Sequence, residues 1–292
     1  MSTTEIGRVV VDSGISVFYR TAFPAINASA PIILLLHGFP TSSHQYRNMI
    51  PLLAEQYRVI APDLPGFGFT NVPAERNYTY TFAALTATIS AFLVALAIKS
   101  FAVYIFDYGA PVALRLALQN PDAITAIFSQ NGNAYEEGLG AGWAPIQKYW
   151  ETGSVEDRQI VKDNVVTFDA FKSQYTFGSR FPGAIPPETY TLDWALVQQP
   201  GNIDIQLDLL YDYRTNVALY PAFHEYFRKS QVPLMAVWGK NDPFFIPPGA
   251  EAFKKDLPQA EVMFLDAGHF AEETETTEIA ALMLKFLKEV FK

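Results

Sequence analysis

Short, almost unbroken apolar runs alternate with helix-spaced stretches through the first 130 residues, and this alternation constrains the fold more than any other feature. Ile32–Leu36, Tyr57–Pro62, Phe101–Phe106 and Ile124–Ser129 are nearly continuous in apolar residues. A strand wetted on one face alternates apolar with polar, so runs like these require cover on both faces. Between them, Gln45–Glu55, Thr81–Ile98 and Ala110–Gln119 carry apolar residues at helical spacing. Strands alternating with helices predict an α/β protein with a mostly parallel central sheet flanked by helices.

After Asn131 the strand pattern stops. From about Ala134 to Tyr220 the chain is richer in Tyr, Trp, Pro and Gly. Ser154-Val-Glu-Asp157 has the form of a helix start, with a capping hydroxyl and an acid three residues on. Ile203–Arg214 predicts another helix. Strand patterning resumes at Pro233–Trp238 and Glu261–Leu265, and Ile279, Leu282, Met283, Phe286, Leu287 and Val290 mark one apolar face of a closing helix. The expected organisation is a core over residues 1–133, a helical insertion over 134–220, and the rest of the core over 221–292. The acidic Glu272–Glu278 stretch reads as a solvated approach to the last helix.

Composition narrows the function classes. Thirty acidic residues against 21 basic give a net charge of −9, which offers no footprint for a phosphate backbone, so nucleic acid is not an expected partner. The absence of cysteine removes disulfides, thiolate catalysis and sulfur-ligated metals. The longest apolar stretch, Ala91–Ile98, falls far short of the roughly 20 residues a membrane helix needs. Met1-Ser-Thr-Thr-Glu5 lacks the basic patch and apolar run of a secretory signal, so a cytoplasmic protein without membrane partners is expected.

Five short segments each follow an expected strand: His37-Gly-Phe-Pro40, Asp63-Leu-Pro-Gly-Phe-Gly68, Ile105-Phe-Asp-Tyr-Gly109, Gly239-Lys-Asn-Asp242 and Ala267-Gly-His269. In open α/β sheets ligands bind beyond the carboxyl ends of the strands, where all five gather. Asp107 occupies the middle of a strand-to-helix turn, the place of the serine in a Gly-x-Ser-x-Gly nucleophile elbow. Gly109 lets such a turn tighten, and Pro111 sits in the first helical turn where its missing N–H is harmless. Ile105 stands where the elbow usually has a small residue. An aspartate here also fits a plain helix N-cap; Asp242 and His269 on later strand ends favour catalysis.

With these segments in order, the sequence resembles the α/β-hydrolase superfamily, and within it the epoxide hydrolase and haloalkane dehalogenase group. The order Asp107, Asp242, His269 matches the superfamily order of nucleophile, acid and histidine. The resemblance spans nearly the whole chain and implies an α/β-hydrolase fold with a helical cap, and an oxyanion hole from the backbone N–H groups of Phe39 and Tyr108.

An aspartate nucleophile selects the reaction. Serine attacking a saturated carbon would give an ether, which is a dead end; a carboxylate gives an ester that water can open. Asp107 therefore points to an sp³ carbon bearing a leaving group, with His269, oriented by Asp242, activating water in the second step. Asp266 is an alternative orienting acid, and Asn131 a candidate to hold a site water. His37 more readily holds its loop in shape, and His44 and His224 lack partner motifs.

Epoxide and halide differ in the leaving group. An opening epoxide needs an acid such as a phenol; a departing halide needs N–H donors. Dehalogenases typically place Trp after the nucleophile, where this chain has Tyr108, and often Asn at the position of Phe39. The resemblance assigns two cap tyrosines to epoxide opening. Tyr213, in Asp212-Tyr-Arg214, fits one and Tyr149 is taken for the other, with Tyr135 and Tyr175 competing. Phe39, Tyr108, Trp143 and Trp150 are the expected substrate-binding residues. The expectation is an epoxide hydrolase giving a vicinal diol, with a dehalogenase-type hydrolase or a non-catalytic ligand-binding relative as alternatives. It would use a small apolar substrate and water as a monomer or homodimer, with no cofactor and no metal.

Overall fold

The computed structural model describes every residue except Met1, Ile26 and Ala28. Its sheet has eight strands in the order β1-β2-β4-β3-β5-β6-β7-β8: β1 (Glu5–Val11), β2 (Ile15–Ala22), β3 (Ile32–Leu36), β4 (Arg58–Pro62), β5 (Phe101–Ile105), β6 (Ile124–Gln130), β7 (Leu234–Gly239) and β8 (Glu261–Leu265). The first two form an antiparallel hairpin, β2 runs antiparallel to β4, and all later pairings are parallel. The six strands read from the sequence are present to within a residue or two at either end. The hairpin adds two that the sequence reading left out. Its β1 is an edge strand with Ile6 and Val10 turned to solvent, so it lacks the continuous apolar run that marks a doubly covered strand.

Strand alternation divides the core in two. Leu34, Leu36, Val103 and Ile105 face one layer, where they meet α2 (Phe82–Ala95) and α3 (Gly109–Gln119) through Phe82, Leu85, Ile89 and Val112. Ile33, Leu35, Ala102 and Tyr104 face the other, covered by α1 (Ile50–Leu53) and by Ile279, Met283 and Leu287 of α12 (Ala271–Val290). Each such fully buried aliphatic side chain stabilises the fold by about 1.5–3 kcal/mol over its exposed state. Gln45–Glu55 is not one helix: a 3₁₀ turn over Ser43–Tyr46 gives way to α1, which starts afresh with Pro51 in its first turn, a position that suits a residue without an N–H.

Between β6 and β7 the regular elements are helical: α4 (Ala144–Thr152), α5 (Val155–Val165), α6 (Phe168–Thr176), α7 (Glu188–Val197), α8 (Asn202–Asp212), α9 (Arg214–Val217) and α10 (Tyr220–Ser230). Ser154 caps α5 as its sequence indicates, accepting from the Asp157 N–H at 3.0 Å. α10 packs back on α3 of the core, and α11 (Pro247–Ala252) follows β7. Among the described residues, no helix is long and apolar enough to cross a membrane.

One expectation fails here. Glu272–Glu278 is not a solvated approach but the first turns of α12, and its leading acids are buried. Glu272 accepts from Gln45 at 2.8 Å, and Glu273 receives both terminal nitrogens of Arg47 at 2.8 Å. The turn lies beneath the helical insertion, where Arg47 supplies the countercharge that burial of a carboxylate demands.

Candidate active site

The parallel register aligns the carboxyl ends of β3, β5, β6 and β7. Leu36 pairs with Ile105, Ile105 with Ser129, and Gln130 with Val237. Asp107, Asn131 and Asp242 therefore emerge side by side, and His269 arrives from the loop after β8.

Asp107 sits in the left-handed region, φ +44°, a conformation that costs a non-glycine residue on the order of 1–3 kcal/mol. The turn is tight because Gly109 lies against the chain: a Cβ there would come within 2.1 Å of the Leu36 carbonyl oxygen. Ile105, larger than the elbow ordinarily takes, is accommodated against Gly132, where a Cβ would meet its Cγ1 at 2.9 Å. Asp107 does not cap α3. The capping position is Tyr108, which makes no side-chain cap bond, while Asp107 Oδ1 accepts the Phe39 N–H from the β3 loop at 2.6 Å. The Tyr108 N–H also favours the ionised form of this carboxylate. Gly38 makes that approach possible, since a Cβ would fall 2.1 Å from Oδ1.

The other carboxylate oxygen, Oδ2, lies 4.0 Å from His269 Nε2. His269 Nδ1 meets Asp242 Oδ2 at 2.7 Å, so Nδ1 carries a proton and Nε2 is the free base. Asp242 is itself held: Oδ1 accepts the Phe244 N–H at 2.7 Å, and Oδ2 accepts Asn131 Nδ2, also at 2.7 Å. Asn131, at φ +49°, is fixed in turn by the Gly239 N–H and by Gln130 Nε2, both donating to its Oδ1. Its position after β6 suggested a water-holding role; the structure instead engages its amide with the acid.

Burial dominates the electrostatics. Desolvation raises the Asp107 pKa from 3.8 to about 6, against the opposing pull of His269 and the two N–H donors. Burial also disfavours a charged His269, but the carboxylates of Asp242 and Asp107 outweigh it and the imidazole pKa is raised. A prediction follows for Asp107→Asn. The folded pKa of Asp107 exceeds the unfolded one, so ionising it destabilises the fold progressively from pH 3.8 to about 6, by about 2–3 kcal/mol once complete. The amide keeps the shape and removes the charge. Thermal melts should show the variant more stable at pH 8 and equal to wild type near pH 3.5; a pH-independent difference would reject this origin.

A small cavity of about 20 Å³ lies beside the pair, lined by Asp107, His269, Phe39, Tyr108, Trp143 and Gln174, with Ile146, Val165, Leu210 and Phe244 completing it. That is room for about one water. The structure thus brings together Asp107, His269, Asp242, Phe39, Tyr108 and Trp143 as the sequence analysis grouped them. Asp266 is exposed and pairs with Lys240, away from His269. His37 serves its loop, accepting the Leu64 N–H at Nε2, while Asp63 accepts the N–H groups of Ser43 and Phe69.

The aromatics of the helical insertion need correction. Tyr149 is not at the cavity: its hydroxyl accepts from Arg158 and its ring packs on Tyr211, because α4 turns that face towards α5 and α8. Trp150 is turned away too, its indole N–H donating to the Leu210 carbonyl at 2.7 Å. The competing Tyr135 and Tyr175 donate to Asp256 and Asp193. Tyr213 stands directly behind the cavity wall, 4.4 Å from Trp143 and 5.8 Å from Tyr108 between ring centroids. Its hydroxyl neighbours that of Tyr220 without reaching hydrogen-bond geometry. Among the described residues, three buried donors in and behind the wall lack partners: Trp143 Nε1, Tyr108 Oη and Tyr213 Oη. The sequence analysis missed Gln174 and the aliphatic lining, which depend on which faces of the inserted helices turn inward.

Comparison with known proteins agrees with this architecture. A model of the alpha/beta hydrolase fold matches residues 31–276. The chain is 46% identical over 286 residues to the "Uncharacterized hydrolase YNR064C" of Saccharomyces cerevisiae, covering 97% of each. It is 26% identical to a haloalkane dehalogenase of Psychrobacter cryohalolentis, covering 95% of this chain and 89% of that one. Among solved structures, the epoxide hydrolase CorEH matches with a TM-score of 0.78 at 21% identity, over 99% of this chain and all of that one. The haloalkane dehalogenase DbeA of Bradyrhizobium elkani matches with a TM-score of 0.77 at 23% identity, over 99% of each chain. With the fold family's model matched across most of its length, this chain belongs to the α/β-hydrolases.

Proposed function

We propose that this hydrolase opens epoxides to vicinal diols through an ester on Asp107, with the helical insertion acting as a cap over the site. The observation that carries the reading is the Asp107 carboxylate itself, with Oδ1 held by the Phe39 N–H and Oδ2 facing His269 Nε2 at 4.0 Å. Attack by Oδ2 on an epoxide carbon forms the C–O ester bond and breaks the ring C–O bond. The electron pair goes to the ring oxygen, which takes a proton from a phenol. Oδ1, now the ester carbonyl oxygen, already accepts the Phe39 N–H at 2.6 Å, a donor that must stabilise the oxyanion of the next step; losing one such donor in comparable sites costs about 3–4 kcal/mol. His269 Nε2 then takes a proton from water as that water attacks the ester carbonyl carbon. Collapse of the tetrahedral intermediate passes its hydroxyl proton to the departing alkoxide, releases the diol and restores the carboxylate, and the proton held by His269 returns to the phenolate.

Two of the three unpartnered donors at the wall are phenols, Tyr108 and Tyr213. Burial keeps both neutral, with pKa values well above 10. A phenol can give its proton to an alkoxide, whereas an indole N–H can only hydrogen-bond. A second reading, hydrolysis of an alkyl halide, is favoured by the indole N–H of Trp143, a buried donor suited to a departing halide.

The test is a panel of aryl epoxides and bromoalkanes, scored for diol and for bromide, run on wild type and Tyr213→Phe. Removing a donor to developing charge is expected to slow epoxide alkylation roughly ten- to a hundred-fold and leave bromide release nearly unchanged. Bromide without diol would move the assignment to the halide. Unchanged epoxide opening in Tyr213→Phe would remove this phenol from the mechanism.

A further inference from the structure

His269 Nε2 has to meet a water and the ester carbonyl carbon together, yet among the described residues no hydrogen bond holds it on that side. Asp107 Oδ2, at 4.0 Å, is beyond bonding distance. The rings that flank the imidazole, Phe106 at 4.6 Å and Phe244 at 5.7 Å between centroids, give contact without direction. The place of Nε2 is therefore set from behind.

Behind it stands Gln130, the fully buried last residue of β6. Its Nε2 donates to the His269 carbonyl at 2.9 Å and to Asn131 Oδ1 at 2.7 Å, and its Oε1 accepts the Tyr104 hydroxyl at 3.2 Å. These partners fix which way the amide points. A backbone carbonyl can only accept, and the Gly239 N–H that donates to Asn131 Oδ1 at 2.8 Å marks that atom as an acceptor too. Tyr104, on the neighbouring β5, is kept neutral by burial; its ring lies 5.4 Å from Phe128 and 5.3 Å from Tyr46 between centroids.

The bonds close a ring on one residue. From the His269 carbonyl the path runs through Gln130 to Asn131, from Asn131 Nδ2 to Asp242 Oδ2, and back to His269 at Nδ1. We infer that Gln130 is a positioning residue for ester hydrolysis, locking the main chain at His269 to the acid that orients its imidazole. The inference rests on the aspartyl-ester step of the reading above, whichever leaving group departs. The cavity of about 20 Å³ has room for about one water, so a displaced Nε2 finds no second water to use. A misplacement of about 1 Å at a reacting group can cost about a hundred-fold in rate.

The experiment follows the ester itself. Wild type and Gln130→Met are mixed with styrene oxide and, separately, with 1-bromobutane, and the Asp107 adduct is weighed in quenched samples as it forms and decays. Decay is counted per alkylated molecule, so unfolded protein drops out. Formation is expected to stay within a few-fold of wild type, because alkylation uses no base, while decay slows about ten- to a hundred-fold. In the His269→Gln background no imidazole is left to place, and adding Gln130→Met should slow decay no further. A purely structural role would slow formation as well, or slow decay equally in both backgrounds. Either result overturns the inference, as does decay at the wild-type rate in Gln130→Met. If Gln130→Met gains no mass, Tyr104→Phe decides in its place. It keeps the carboxamide but frees its oxygen, and is expected to slow decay about three- to ten-fold with formation intact; unchanged decay there overturns the inference and leaves the aspartyl ester standing. Absence of an adduct even in His269→Gln, with either probe, overturns both.

Discussion

Replacing His269 with Gln is expected to stop turnover and leave substrate attached to the protein. Alkylation needs only the Asp107 carboxylate and a proton for the leaving oxygen, so the first step survives. Ester hydrolysis loses its base, which is worth about 10²–10⁴-fold in rate. The adduct then accumulates, because the ester carbonyl is buried and, among the described residues, the cavity lining holds no second imidazole; His37 is engaged with the Leu64 N–H. Intact-protein mass spectrometry should show a gain of one substrate mass, and peptide mapping should place it at Asp107. Whenever His269 is protonated its charge lowers the Asp107 pKa; the variant lacks that charge, so its alkylation should need a higher pH than wild type. Rapid wild-type turnover alongside a variant that gains no mass would sink the aspartyl-ester mechanism.

The site was legible where it depends on strand ends. A doubly covered strand announces itself by composition, and the residue after it lands at the carboxyl edge of the sheet regardless of detail elsewhere. Asp107 and Asp242 each sit within a few residues of such an end, and His269 follows the edge strand β8, whose apolar run marks it although Met263 and Phe264 are exposed, so their meeting followed from topology. The insertion has no such frame. Its helices are short and aromatic, with polar and apolar residues on most faces, and which face turns inward depends on their packing against one another. Tyr149 and Trp150 look like wall residues in sequence yet face Arg158 and the Leu210 carbonyl. Gln174, one turn beyond Phe171, carries no mark that separates it from any surface glutamine. Glu272 and Glu273 misled for a related reason: their burial depends on Gln45 and Arg47, more than two hundred residues away.

Asp242→Asn tests the orienting acid, and the hydrogen-bond geometry fixes what it should do. Asp242 Oδ1 accepts one N–H, from Phe244, and Oδ2 accepts two donors, His269 Nδ1 and Asn131 Nδ2. An amide can match only part of this. With its NH₂ towards Phe244, two donors face each other across 2.7 Å, and the imidazole loses its anionic partner. With its NH₂ towards His269, the imidazole must accept at Nδ1 and carry its proton on Nε2, the nitrogen that has to take a proton from water. Asn131 cannot relieve that conflict, since its Oδ1 is already held by the Gly239 N–H and Gln130. Either arrangement disables the base. A wrong tautomer of this kind costs about 10⁴-fold in a serine protease triad, and a loss of 10³–10⁴ in ester hydrolysis is expected here. Alkylation should stay within a few-fold of wild type, so stopped-flow traces should keep their burst while the steady state collapses. The pH profile adds a sign. Asp242 helps raise the His269 pKa, and His269 must be neutral to act, so any residual hydrolysis by the variant should persist to lower pH than in wild type. Equal losses in burst and steady state would instead mean that Asp242 supports the fold of the site rather than the base. A larger loss from Asp266→Asn would transfer the orienting role to that residue.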